Sequence, residues 1–388
     1  MKLFKSLIVA PAALGLLAPL SATANDLNLN DVNEYSSSEE VLSISEFYPA
    51  KKLAVDNNSV EVSESRFNYI EAGSFSDTTT ASFSADFAIG AIDGKGISSG
   101  VTDGDEDVQA AYGFQIDLNT SFTGEDSLDI SIDAGNGPAS SALAEFDLNS
   151  GSDTLTVDGV SYTFPVGDNA TVMFGDNSDG SALFTTACVY GGPSNTLDDC
   201  ANVNAGFTGG GVMVGASYDF GNGFTTAIGY QGDETQVMTK ESSDSYGANV
   251  AYTAETYGIS LTYGVIESTN STENSYTALN AYWTPEGFPS ISAGYEIGGI
   301  GDAPASADES INYFVGISTE VGPGEFGAAL GTSGGQIEGQ TEEMMYEAYY
   351  SYPINDGMTL TPLVFLKEQA TAGTPDQTGV MLKTSFSF

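Results

Sequence analysis

The stretch Tyr257-Gly258-Ile259-Ser260-Leu261-Thr262-Tyr263-Gly264-Val265 alternates without a break, large apolar residues at the odd positions and small or polar ones at the even positions. Successive side chains of a strand point to opposite faces, so this segment has one greasy face and one small, polar face. The same period of two runs through 108–118, where Val108, Ala110, Tyr112, Phe114, Ile116 and Leu118 alternate with Gln109, Ala111, Gly113, Gln115 and Asp117. It returns at 377–388, with Val380, Leu382, Phe386 and Phe388 on one face and Gln377, Gly379, Lys383 and Ser385 on the other. From about residue 78 onward the chain reads almost wholly as strands.

A soluble sandwich would alternate in the same way, so the turns carry the decision. Short turn signals stand at Gly221-Asn222-Gly223, Ala254-Glu255-Thr256, Pro285-Glu286-Gly287, Gly322-Pro323-Gly324 and Asn355-Asp356-Gly357. Between them lie longer polar stretches at 231–244, 266–274, 298–309, 332–342 and 367–376. Short and long connections alternate, with one strand of about ten residues between each pair, the length a tilted strand needs to cross a bilayer. This is the layout of a transmembrane barrel with short periplasmic turns and long outer loops. Aromatics flank the short turns: Tyr218, Phe220 and Phe224; Tyr252 and Tyr257; Tyr282, Trp283 and Phe288; Phe326; Tyr350 and Tyr352. A girdle at one membrane interface would cluster them there, whereas plain strand propensity would place aromatics at both strand ends. Phe388 closes an alternating strand, a pattern an outer-membrane assembly machine is expected to read.

Eleven strands fit between 211 and 388, and six more near 78–92, 108–122, 127–134, 142–149, 154–166 and 171–175. Seventeen is incompatible with both barrel ends on the periplasmic side, so one of the six is not a strand. Asp158-Gly159 breaks the alternation inside 154–166, as a bulge or a tight turn. The expectation is an all-β, transmembrane antiparallel β-barrel of 16 strands, with 18 the other even count. Either is wide enough for a water-filled channel.

Composition narrows the function. Of 388 residues, 53 are Asp or Glu and 9 are Lys or Arg, with no histidine. Nucleic acid is excluded as a partner at a net charge of −44, because phosphate binding needs cationic side chains. Without histidine, Ser-His-Asp and Cys-His catalysis and most transition-metal sites are gone, and no cofactor is expected. Residues 1–24 carry Lys2 and Lys5, an apolar run from Leu7 to Leu20 and the small-residue site Ala22-Thr23-Ala24, the pattern of a signal peptide. Its removal takes two lysines and no acids, moving the charge from −44 to −46. Cys188 and Cys200 are the two cysteines of this exported chain and most simply pair as a disulfide. A metal pair is the alternative, and it lacks a third soft ligand.

Three segments, EAGSFSDTTTASFSADFAIGAIDGK (71–95), TSFTGEDSLDISIDAGN (120–136) and VSYTFPVGDNATVMFG (160–175), resemble porins of cyanobacterial outer membranes, especially marine unicellular ones. The leader MKLFKSLIVAPAALGLLAP (1–19) is similar too. The resemblance implies an outer-membrane homotrimer, related to the carbohydrate-selective porins, that passes small polar solutes and ions passively among the lipids. Such porins carry a surface-layer-homology domain after the leader. Here VLSISEFYPAKKLAVD (41–56) looks like the start of that domain without its body, which puts wall anchoring in doubt. The expected organisation is a signal peptide at 1–24, a short, largely disordered periplasmic extension at 25–75 and a barrel at 76–388.

If the greasy face meets lipid, the other face lines water. The inward face of the first strands then presents Asp86, Asp117, Asp129, Asp133, Glu145 and Asp147, with little cationic opposition beyond Lys383 and Lys367. A carboxylate-lined channel favours cations, and screening at high ionic strength weakens that preference. The long stretch 176–209, with Asp176, Asp179, Asp198, Asp199 and both cysteines, is the candidate constriction loop; an outer surface loop or a latch on a neighbouring subunit are its other readings. The run Asp103–Asp107 lacks the Gly and terminal Glu of a calcium loop, and Glu342-Glu343 lacks the apolar pocket a glycosidase acid requires. A passive channel is therefore weighed against an acidic exported adhesin or β-solenoid, which should show a short fixed repeat, and against an outer-membrane enzyme, which needs a catalytic constellation. Neither feature is found.

Overall fold

The computed structural model describes residues 78–388 apart from 94–107, 138–142, 150–152, 240, 269–271, 302, 305–306, 335 and 370–374. The leader 1–24, the extension 25–75 and the run Asp103–Asp107 lie outside the described residues. The first strands are β1 (Thr79–Asp93), β2 (Gln109–Thr120), β3 (Ser127–Gly135), β4 (Thr156–Val166) and β5 (Ala170–Asp176). After a long connection come β6 (Val212–Gly221), β7 (Phe224–Gly232), β8 (Asp244–Thr253), β9 (Tyr257–Ser268), β10 (Thr272–Trp283) and β11 (Ser290–Gly299). The rest are β12 (Glu309–Val321), β13 (Gly324–Thr332), the two-residue β14 (Gln336–Ile337), β15 (Met344–Asn355), β16 (Met358–Lys367) and β17 (Gln377–Ser387). Every strand except β14 pairs antiparallel with its two neighbours, and β1 pairs with β17, closing a barrel of 16 strands. β14 only extends the edge of β12 within a loop.

The alternation of the sequence becomes the two faces of this wall. In β9, Ile259, Leu261 and Tyr263 point outward and are about half exposed, while Ser260 and Thr262 point inward and are buried. The five expected short turns all fall between paired strands, and the long connections leave from the opposite end. At the turn end, outward aromatics pack in series: Tyr218 on Phe220 at 4.8 Å, Phe224 on Tyr252 at 4.6 Å, and Tyr252 on Tyr257 at 5.7 Å. Phe83 stacks on Phe388 at 5.8 Å across the β1–β17 seam.

Aromatics are not confined to the turn end. At the loop end, outward tyrosines donate to carboxylates: Tyr112 to Asp153 (2.8 Å), Tyr230 to Asp244 at the start of β8 (2.5 Å), Tyr313 to Glu342 (3.2 Å) and Tyr346 to Glu368 (3.3 Å). An amphipathic ring of this kind presents its body to an apolar layer and its hydroxyl to the polar side.

The surplus N-terminal strand is 142–149. Ala144–Phe146 form a single 3-10 turn, followed by Asp147 in the left-handed region at φ 44°. Leu143, Phe146 and Leu148 are buried inside the barrel in one apolar cluster with Ala88, Ala111, Leu363, Phe365 and Met381. Burial against the inner wall overrides the local alternation. Asp158-Gly159 is a bulge rather than a turn: the register shifts where Ser131 faces Gly159 and Ile132 faces Val157, leaving Asp158 as the extra residue.

Candidate functional site

Among the described residues, two connections enter the barrel. The longer, 177–211, runs around the inner wall, and one strand after another supplies a side chain that holds its backbone. Gly180 N–H donates to Gln231 Oε1 on β7 (2.8 Å), Thr185 N–H to Asn249 Oδ1 on β8 (3.0 Å) and Ala187 N–H to Ser260 Oγ on β9 (2.8 Å). Val189 N–H donates to Ser292 Oγ on β11 (3.0 Å), and Tyr190 Oη to Glu347 Oε1 on β15 (2.6 Å). Burial, then the neighbouring Glu347 carboxylate, pushes the Tyr190 phenol far up, so it stays a donor.

The returning half of the loop is held as firmly. Asn280 Nδ2 on β10 donates to Cys200 O (2.8 Å). Glu296, fully buried on β11, accepts from Asn204 N–H and Ala205 N–H at 2.8 Å each, from Asn204 Nδ2 at 2.8 Å and from Asn312 Nδ2 at 3.0 Å. A disulfide joins Cys188 on the outgoing half to Cys200 on the return, Cα atoms 6.5 Å apart. Loop backbone lies flat on the wall where the wall lacks a side chain. A Cβ on Gly294 would stand 1.7 Å from Cys200 O, and one on Gly229 2.0 Å from Gly180 O. Buried backbone groups need partners, and these wall side chains supply them.

The shorter connection, between β3 and β4, meets the longer one at Glu145. Glu145 O accepts from Asn195 N–H (2.9 Å), and Glu145 Oε2 accepts from Thr196 Oγ1 (2.8 Å) and Thr196 N–H (3.3 Å). Glu145 Oε1 accepts from Lys367 Nζ on β16 (2.9 Å), which also donates to Thr196 Oγ1 (3.0 Å). Glu145 and Asp147 therefore stand on an infolded loop, not on a strand of the wall.

The other expected wall acids do sit on strand faces that point inward. Asp117 accepts from Gln115 Nε2 (2.7 Å) and Ser131 Oγ (2.8 Å). Asp129 accepts from Asn119 Nδ2 (2.6 Å) and Ser127 Oγ (2.6 Å), and Asp133 from Thr156 Oγ1 (2.9 Å). These neutral donors satisfy the carboxylates without cancelling their charge. A cleft of about 430 Å³ brings Asp129 together with Ser131, Ser161, the bulge residue Asp158 and Asp179 of the long loop. A smaller cleft of about 150 Å³ joins Asp86 and Gln115 to Asp147 and Asn149. Lys383, inward on β17, stands 5.4 Å above the Phe146 ring. Among the described residues Lys367 and Lys383 are the basic side chains, and Lys367 is already paired with Glu145.

Within the long loop the four expected acids divide. Asp176 is not in the loop: it ends β5, paired with Val212 and Val160 and turned to the outward side, because the strand ladder runs one residue further than the polar composition suggests. Asp179 is exposed and accepts from Gly209 N–H (3.2 Å). Crowding by the surrounding loop, then the Asp147 charge, raises the Asp198 carboxyl to about 6, although the residue is exposed on its open side. Burial, then Asp198, raises Asp199 to about 7.

Reading strand faces one at a time missed the polar rail of Asn249, Ser260, Asn280, Ser292, Glu296 and Asn312, and the bulge acid Asp158. The rail was signalled by polar residues at inward positions of five consecutive strands. No group of three or more His, Cys, Asp or Glu suited to a metal ion occurs among the described residues.

No protein-family model matches the chain, and no curated protein matches it. Solved structures do. OprB of Pseudomonas putida superposes with a TM-score of 0.59 at 10% identity, covering 80% of this chain and 94% of that one. An anion-selective porin from Comamonas acidovorans gives 0.57 at 14% identity, covering 80% and 99%. A mutant of the Rh. blastica porin gives 0.55 at 12% identity, covering 80% and 100%. At these identities the likeness is one of fold: this chain has the 16-stranded architecture of bacterial porin barrels.

Proposed function

We propose that the chain is an outer-membrane porin, a water-filled channel through which small hydrophilic solutes and inorganic ions diffuse passively, with cations preferred. The observation that carries the reading is the divided wall: the outer face is apolar, and the inner face along β1–β5 carries carboxylates that line clefts left open beside the infolded loops. A barrel this wide holds water unless loops fill it. Similar barrels occur in an anion-selective porin, so the fold itself leaves the sign of the preference open. Here the lining supports the cation sign. Asp86, Asp117, Asp129, Asp133, Asp147, Asp158 and Asp179 face Lys383 as the described cation not held in an ion pair. Fixed carboxylates concentrate cations and repel anions within about one Debye length, roughly 10 Å at 0.1 M salt and 3 Å at 1 M. The preference therefore weakens as salt rises.

The sequence resemblance supports the finer reading: a cyanobacterial porin related to the carbohydrate-selective type, exported by residues 1–24 and assembled as a homotrimer, with loop 177–211 as its constriction. A β-solenoid adhesin is a poorer fit, because the sheet closes on itself instead of stacking openly. Among the described residues no side-chain constellation favours an enzyme. Reconstitution into a planar bilayer under a salt gradient tests the proposal: discrete conductance steps and a cation-signed reversal potential are expected. Absence of steps would overturn the channel, and an anion-signed potential would overturn the acidic-lining argument alone.

A further inference from the structure

Among the described residues, the loop-filled side of the barrel contains one ion pair, in an interior where carboxylates far outnumber cations. Lys367 and Glu145 are mostly buried, with side chains 24% and 10% exposed, and the pair does not stand alone. Glu145 belongs to the β3–β4 connection, Thr196 to the β5–β6 connection and Lys367 to the wall strand β16. All three meet through the hydrogen bonds at Glu145 Oε1, Glu145 Oε2 and Thr196 Oγ1. The Thr196 N–H to Glu145 Oε2 bond and the backbone bond from Asn195 to Glu145 add two further ties.

Around this point the contacts are apolar and directionless: Leu143, Phe146 and Leu148 from one loop and Leu197 from the other lie in the same buried cluster as Leu363 and Phe365. Apolar contact alone would let the loops slide against each other, since dispersion has little directionality. The charge-assisted bonds supply the missing register. Asp147 and Asp198, which face the open side, are each within three residues of a clasp residue. Where those two carboxylates stand is thus set at Glu145.

We infer that Glu145 is a positioning residue: with Lys367 and Thr196 it clasps the two infolded loops to each other and to the wall, and so fixes the aperture at a single size. The inference rests on the channel reading above and deepens it, because it assigns the aperture to two coupled loops. Removing either partner leaves the other charge mostly buried and unpaired, which loosens the contact more than removing both.

Single-channel recording of Glu145→Gln, Lys367→Met, the double variant and Lys367→Arg tests this in the full-length protein, each variant first checked for wild-type heat-modifiable migration. Glu145→Gln removes one negative charge from the interior and Lys367→Met removes one positive charge. Their reversal potentials should therefore move in opposite directions. Visits to additional conductance levels should rise in both by about tenfold or more, the scale of coupling in a buried network. The double variant should be quieter than either single one, and Lys367→Arg should restore the wild-type record. Single steady levels in both single variants, beside a conducting wild type, would overturn the clasp.

A second readout does not depend on conduction. In detergent-solubilised protein, the Cys188–Cys200 disulfide lies just beyond Thr196 and Leu197, with Cys200 fully buried. Its reduction by a water-soluble phosphine, followed by maleimide mass-tagging, should quicken about tenfold in both single variants and stay at the wild-type rate in Lys367→Arg. Equal rates throughout would overturn the inference even if the protein forms no channel, while a silent wild type with quickened reduction in the variants would count against the channel and keep the clasp.

Discussion

Replacing Glu296 with Ala should release the returning half of the long loop while leaving the barrel intact. Its carboxylate is fully buried and receives four N–H groups, two of them the backbone amides of Asn204 and Ala205. A hydrogen bond to a charged acceptor contributes about 1.5–3 kcal/mol. The low end for the two backbone bonds alone gives about 3 kcal/mol of docking energy, and the side-chain amides can turn to other partners. In exchange terms that is roughly a hundredfold, at about 1.4 kcal/mol per decade. Hydrogen–deuterium exchange on peptides spanning 198–207 should speed up by that factor in Glu296→Ala. Glu296→Gln should change far less. Its oxygen can serve both backbone amides, and its NH₂ can face Asn204 and Asn312, whose side chains can flip to present oxygen. Unchanged protection in Glu296→Ala, in protein with wild-type gel migration, would refute the assignment of Glu296 as the loop's main anchor.

Asp117→Asn or Asp129→Asn should move the zero-current potential toward neutrality; an unmoved potential would mean that these carboxylates do not face the ion path. Lowering pH from 8 to 5 should weaken cation preference, because Asp198 and Asp199, raised to about 6 and 7, take up protons in that window. For raised carboxyls the cost of ionisation is fully present above the folded value and disappears toward the ordinary 3.8, so exchange across 194–202 should slow as pH falls, and a flat profile would contradict the burial of this segment. Asp126 runs the other way. The Tyr162 hydroxyl, helped by Thr123 N–H and the Ser121 and Thr123 hydroxyls, holds it well below the usual carboxylate range. Its contribution is complete above pH 4 and lost only as pH drops through the depressed value, so Asp126→Asn should flatten the acid limb of thermal unfolding measured by gel shift.

The barrel was legible because its wall obeys a two-residue period and its turns obey a spacing, and neither depends on distant contacts. The interior was less so. Residues 142–149 alternate as a strand does, apolar Ala142, Ala144, Phe146 and Leu148 against Leu143, Glu145 and Asp147. A loop lying on a greasy inner wall has the same need for an apolar side. That inner wall was itself hidden by the assumption that inward means polar. The run Leu363-Val364-Phe365-Leu366 carries large apolar residues on both faces, the mark of a strand buried on both sides, and so does Val380-Met381-Leu382. Read that way, β16 and β17 would have disclosed that something packs inside them. The partner choices at Glu145 and Glu296 join residues dozens to hundreds of positions apart, and no local pattern specifies them.

The seam between β1 and β17 has a consequence for how such a molecule comes into being. Ser84 lies beside Ser387 and Asp93 beside Thr378, so the contact that completes the wall joins opposite ends of the barrel sequence. Until that zipper forms, both strands present raw ladders of N–H and C=O, templates for any neighbouring chain. Hairpins along the wall can form early and cheaply, but closure has to wait for the whole span to be available, the slow end of the topological scale. A chain released in stages through a narrow passage would thus spend its youth as an open ribbon, and its survival would depend on being shielded until the two rims meet.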